Sequence, residues 1–148
     1  MIRQLSTITG KTKLAALLIL PCASALSTAA AADLTVTISS VEKAEGKIML
    51  AIYDSEDNFR KTEKIATSKP ATSGDMVFSF SDLTAGAYAV MVFHDRNSNG
   101  KLDTNLLGIP KEPWGGSLQG KSVFGAPGWA DTQFELTDAG MSISITLN

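Results

Sequence analysis

Asp95, Asn97, Asn99 and Asp103 offer side-chain oxygens at short, regular spacing in the run His94-Asp95-Arg96-Asn97-Ser98-Asn99-Gly100-Lys101-Leu102-Asp103. Oxygens at alternate residues, a glycine for the sharp turn and a returning carboxylate match the first, third, fifth, sixth and ninth positions of a calcium loop. Calcium is a hard cation that takes about six to eight oxygens, so the backbone carbonyl of Lys101 joins the expected ligand set. The twelfth position, where an EF-hand carries a bidentate Glu, is Leu106. Only Asp95 and Asp103 bring negative charge, which predicts weak affinity of the extracellular grade. The same residues can build a turn without metal, because Asn and Asp bond their own backbone and Asn-Gly is a strong turn dipeptide.

Other chemistry has few candidates. His94 is the only histidine, and no Gly-x-Ser-x-Gly elbow, Walker loop or His-Glu-x-x-His zinc motif is present. A small metal-assisted periplasmic hydrolase, with His94 and Asp95 as acid and base beside the cation, is the enzymatic alternative. The preferred expectation is a non-catalytic binding or interaction module, with no catalytic residue and no cofactor beyond a structural calcium.

The N-terminal segment reads as a cleaved signal peptide over residues 1–32. Arg3, Lys11 and Lys13 form a basic start, Leu14 to Leu20 an apolar stretch, and Ala30-Ala31-Ala32 a small-residue cleavage site. The apolar stretch is shorter than the roughly 20 residues a spanning helix needs, so no membrane insertion is expected after cleavage. Cys22, the only cysteine, lies inside the leader. Pro21 stands before it where a lipoprotein signal wants a small residue, which argues against acylation. Residues 33–148 form the expected single domain, periplasmic or secreted, without disulfide or thiolate chemistry. The leader holds three of the 13 basic residues and none of the 15 acidic ones, which leaves 10 against 15, a net charge of −5. That balance disfavours nucleic acid and anionic membrane surfaces. An unidentified protein or small molecule is the expected partner.

The elements that position the loop read as β-strands. Short alternating runs between turn residues predict an all-β fold, a single seven-stranded antiparallel β-sandwich with one long rim loop. The strands are Leu34 to Val41, Lys47 to Tyr53, a short edge strand Lys64 to Ser68, a strand carrying Met76, Phe78 and Phe80, Ala87 to Phe93, and a final hairpin of Thr132 to Leu136 with Met141 to Leu147. Ile48, Leu50, Phe78, Phe80, Tyr88, Val90, Ile143 and Ile145 are the expected core. Ser55 before Glu56 and Asp57 suggests a short helix, or else a solvated loop anchored by Phe59. The connection Thr104 to Asp131 is long for a compact domain, and such loops tend to be functional. With His94, its residues Trp114, Phe124 and Trp129 are the expected ligand or partner contacts.

Two resemblances add to this reading. Leu83, Gly86 and Tyr88 form an L-x-x-G-x-Y run ahead of an apolar strand. That run resembles immunoglobulin-like and prealbumin-like sandwiches, in which the tyrosine hydroxyl bonds back to nearby backbone. The longer run Phe93 to Asp103, continued by Asn105 and by Leu106-Leu107-Gly108-Ile109-Pro110-Lys111-Glu112-Pro113 with Gly115, resembles the domain of unknown function 2141 family of exported bacterial proteins. This second resemblance covers essentially the whole of residues 33–148 and implies the compartment and fold, not an activity. Where the family implies G-F-S after the second proline, this chain has Gly115-Gly116-Ser117. Prealbumin-like hydroxyisourate hydrolases end in a Tyr-Arg-Gly-Ser type tail, whereas this chain ends Ser-Ile-Thr-Leu-Asn.

Overall fold

Alternation of side chains sets the first strand. In β1 (Ala31–Val41), Ala32, Leu34, Val36 and Ile38 are buried while the intervening residues face outward. A computed structural model describes residues 31–120 and 126–148. The leader up to residue 30 and Phe124 lie outside the described residues. The expected leader boundary after Ala32 falls within β1, whose first two residues pair with Thr84 and Leu83.

The class is all-β, with eight strands in two sheets among the described residues. After β1 come β2 (Lys47–Tyr53), β3 (Ile65–Pro70), β4 (Gly74–Thr84), β5 (Gly86–Asp95), β6 (Trp114–Gly116), β7 (Phe134–Leu136) and β8 (Met141–Thr146). One sheet has the order β4-β1-β8, and the other runs β3-β2-β5-β6 with β7 paired to the start of β5. Buried side chains from both sheets belong to one core cluster. Ile48, Leu50, Phe78, Tyr88, Val90 and Ile145 are buried in it, and Phe80 and Ile143 pack against it. As expected, β3 is an edge; β2 and β5 lie inside the sheet.

Three expectations need correction. The described residues hold eight strands, not seven, because Trp114-Gly115-Gly116 within the long connection pairs with Met91 to Phe93. The pairing is not wholly antiparallel: β8 runs parallel to β1, with Val36 opposite Ile143 and Ile38 opposite Ile145. This register puts Val36 and Ile38 beside Ile143 and Ile145 on the core face. The last two strands form no hairpin. The turn at Thr137–Gly140 closes as expected, with Gly140 N–H donating to Thr137 O at 2.9 Å, but it carries the chain from one sheet to the other. Leu136, fully buried, is held under β5 before the crossing.

The segment after Tyr53 forms successive turns around buried Phe59, without a named helix. Ser55 Oγ still accepts Asn58 N–H at 3.4 Å, a weak version of the capping bond. At the start of β5, Tyr88 Oη donates to Thr84 O at 2.8 Å, the bond implied by the L-x-x-G-x-Y resemblance.

The Gly115-Gly116-Ser117 departure has a packing reason. A Cβ on Gly115 would lie 2.6 Å from Ile145 Cγ2 and 2.8 Å from Thr146 O, and one on Gly116 would lie 3.0 Å from Thr132 Cγ2. Side chains at either position would push β6 off β8 and off the one-turn helix α1 (Trp129–Thr132). Ser117 completes the joint. Its buried hydroxyl accepts Val90 N–H at 3.0 Å and bonds Thr132 O.

Candidate functional site

The loop that leaves β5 is closed by its own polar groups. Asp95 is buried, and its carboxylate accepts the N–H of Asn99 at 3.0 Å and of Gly100 at 2.8 Å. Asn97 Oδ1 accepts Asn99 N–H and Asn99 Oδ1 accepts Lys101 N–H, two successive Asx turns. The amides of Asn97 and Asn99 then converge on the Asp103 carboxylate, at 2.7 and 3.0 Å. Three of the five residues named as calcium ligands, Asn97, Asn99 and Asp103, therefore meet through their side chains, while Asp95 bonds backbone amides. Among the described residues, no group of three or more His, Cys, Asp or Glu side chains is assembled for a metal.

Glu112 is the residue that sequence reasoning missed. It is buried, and its carboxylate accepts Arg96 N–H through Oε1 and Asp103 N–H through Oε2, both at 2.9 Å. Charge-assisted bonds to backbone are stronger than neutral ones, so Glu112 ties the two ends of the loop. The available signal was an acidic residue between two prolines, Pro110 and Pro113, where an exposed turn residue is the usual reading. Lys111 N–H donates to Asp103 O at 2.8 Å, extending the tie.

His94 does not face this loop's solvent side. It shares the inward face of β5 with Tyr88, Val90 and Val92, is fully buried, and its Nε2 lies 2.7 Å from Glu45 O. The β1–β2 corner is thereby fastened to the end of β5. Trp129 is also buried, on the opposite face of the same sheet, where it meets Phe59 edge to face at 5.8 Å, and Phe59 meets Tyr53 at 5.2 Å. Of the aromatic residues placed in the long connection, Trp114 is the described one that lines an open cleft.

That cleft follows from side-chain size across the outer face of the second sheet. Register brings Ser68, Met49, Phe93 and Trp114 into one cross-strand row. The next row is Ala66, Ala51, Met91 and Gly116, and the third begins with Tyr53 beside Ala89. A row of mostly small residues thus lies between Met49, Phe93 and Trp114 on one side and the Tyr53–Phe59–Trp129 cluster on the other. The bounding rows, at Met49 and Tyr53, are four steps apart along β2, about 14 Å at roughly 3.4 Å per residue. The resulting cleft has a volume of 650 Å³, and its lining includes Lys101 and Leu102 as well as Arg60 and Glu63. Its polar equipment is sparse. Tyr53's phenol is pushed up by burial and by the neighbouring Glu63 carboxylate, with Arg60 opposing. Lys64 is committed to Asp54 at 2.9 Å. Among the described residues, Arg60 and Lys101 have no ion-pair partner.

A family described as an uncharacterized protein conserved in bacteria (DUF2141) matches residues 36–144. The chain belongs to that family. Comparisons with curated proteins and with solved structures found no match. The DUF2141 match runs from within β1 to within β8, so the Asx loop, Glu112 and the cleft all belong to the DUF2141 region. No helix among the described residues is long and apolar enough to cross a membrane.

Proposed function

We propose that this DUF2141 chain is an exported, non-catalytic binding module of immunoglobulin-like or prealbumin-like sandwich type, and that its ligand lies in the outer cleft. The observation that carries the proposal is the small-residue row Ala66, Ala51, Met91 and Gly116 between two rows of large side chains. A mostly apolar slot with a few polar groups is the usual form of a small-molecule site. Arg60 and Lys101 favour a flat or linear apolar molecule bearing one anionic group. Export to the periplasm or medium is supported by the tripartite leader. The hydrolase alternative gains no support, because His94 is buried against Glu45 and Asp95 is engaged with backbone amides.

Anilinonaphthalene sulfonate has this chemistry and is a direct probe. The folded protein should enhance its fluorescence saturably, and the Trp114 emission should change with the same midpoint. Ala51→Leu with Ala66→Leu fills the slot and should weaken binding about tenfold or more, at little cost in stability for partly exposed positions. Unchanged affinity in a folded double variant would place the ligand elsewhere.

Calcium enters the proposal as a structural clip, held by Asp95, Asn97, Asn99, the Lys101 carbonyl and Asp103. Its support is the spacing of the oxygen-bearing side chains in the sequence and the gathering of Asn97, Asn99 and Asp103 at one place. An ion there would take over Asp103 from the amide hydrogens and hold the base of the cleft wall at Lys101 and Leu102. Binding to the native state alone adds about 2.7 kcal/mol when the ion stands at 100 times Kd. Millimolar calcium should therefore raise the melting temperature, and Asp103→Ala should abolish the increment. Equal wild-type melting curves in calcium and in chelator would leave the loop as an Asx turn.

A further inference from the structure

A lysine stands in a row that otherwise faces the core. Register sets Ile65, Thr67 and Lys69 of β3 opposite Ile52, Leu50 and Ile48 of β2, which are all buried in the core, so period two assigns these three β3 residues to the inner side of the sheet. Ile65 packs against the core cluster as that row requires. Lys69 cannot, because a lone ammonium is costly to bury, and it reaches over the Phe78 ring, 4.6 Å from the centroid, to donate to Val77 O at 2.6 Å. β3 and β4 each end their sheet, and this bond joins them. The other side of the sandwich is closed by amide groups. Gln119 Nε2 donates to Ser144 O at 3.1 Å, Gln119 Oε1 accepts Thr146 N–H at 3.3 Å, and Asn148 N–H donates to Trp114 O at 3.0 Å.

The Val77 bond also shows which backbone groups the edge offers. Val77 O meets Lys69 rather than β1, and the N–H and C=O of a strand residue leave on the same side, so Val77 and, by alternation, Asp75 and Ser79 direct their backbone groups away from β1. Such a row is a template for another strand. It is its own complement, because a two-fold axis at Val77 sets Asp75 opposite Ser79 of a second copy, where no like charges meet, and joins the two Val77 side chains, each 48 % exposed. Lys69 stands against that pairing. Val77 N–H of each copy would have to donate to Val77 O of the other, the acceptor that Lys69 holds, and the same axis would bring two ammonium groups together. A charge on the inward row of an edge strand thus guards both its own edge and the neighbouring one.

We propose that Lys69 is an edge guard, whose ammonium occupies the Val77 carbonyl and keeps β4 from pairing with β4 of a second copy. This stands apart from the cleft and calcium proposals and depends on neither. The test is light scattering after size exclusion over a concentration series of the exported protein, with amide hydrogen exchange on the separated species. The wild type should be monomeric, and so should Lys69→Arg, which keeps a cation within reach of Val77 O. Lys69→Ser and Lys69→Leu should self-associate about tenfold more tightly or better, and the Asp75, Val77 and Ser79 amides should gain protection in the associated form. The leucine variant fills an inward position and should melt at or above the wild-type temperature, so its association would not come from unfolding. Lys43→Leu adds the same apolar surface beside Glu45 and should stay monomeric. Monomeric behaviour of both Lys69→Ser and Lys69→Leu would overturn the proposal. So would a wild type or Lys43→Leu that associates as tightly as they do, or protection gained outside β4.

Discussion

Gly46→Ala should lower the melting temperature by roughly 10 °C or more, the largest single-methyl effect expected in this protein. Gly46 has φ +68°, and an added Cβ would overlap the Asp95 carbonyl oxygen and lie 2.7 Å from Arg96 Cα. The obstacle is backbone, which cannot swing aside as a flexible side chain can. A positive φ costs a non-glycine residue about 1 kcal/mol, and forced overpacking adds about 1 to 3 kcal/mol. Against a domain stability of roughly 5 to 15 kcal/mol the loss is large. Parting the β1–β2 corner from β5 also strains the contact between His94 and Glu45 O. Gly74→Ala is the matched control, since its φ is +97° with nothing within 4 Å of the new atom. It should show the conformational cost alone. If both variants melt together, the corner is not packed on Asp95 as described.

Glu112→Ala should cost about 3 kcal/mol or more and loosen the loop, because each backbone bond to a charged acceptor contributes about 1.5 to 3 kcal/mol. Arg96 and Asp103 N–H would lose their common acceptor. Glu112→Gln keeps one oxygen but turns an NH₂ toward a backbone donor, so it should fall between wild type and alanine. Urea midpoints give the stability, and trypsin cleavage at Lys101 and Lys111 reports on the loop itself. Both variants should be cut faster under native conditions. Wild-type midpoints and cleavage rates in Glu112→Gln would show that the carboxylate does not tie the loop.

Strands with clean alternation were legible because period-two burial is written directly in their side chains. Leu34, Val36 and Ile38 against Thr35, Thr37 and Ser39 define β1 before any partner is known. β6 was not legible, since three residues, two of them glycine, show no periodicity and little strand propensity. Its existence depends on close approach to Ile145 and Thr132. The β7–β8 turn was read correctly as a turn and wrongly as a hairpin, because local turn chemistry does not choose between two sheets. The Asx run was legible as a closed polar loop. Glu112 was hidden because its partners are backbone N–H groups, which carry no sequence signature. The cleft was hidden for a related reason. Met49, Ala51, Met91 and Phe93 are apolar residues of β2 and β5 without any mark of a site, and the slot exists only when register sets a small row between two large ones.

Binding in that slot is most directly tested by amide and indole chemical shifts of the exported protein titrated with anilinonaphthalene sulfonate. Perturbations should centre on Ala51, Ala66, Met91 and the Trp114 indole, extend to Lys101 and Arg60, and leave Val36, Ile38 and Ile143 in the other sheet unchanged. Saturable shifts centred on Leu106 to Ile109, or none at all in the folded protein, would contradict the cleft as the ligand site.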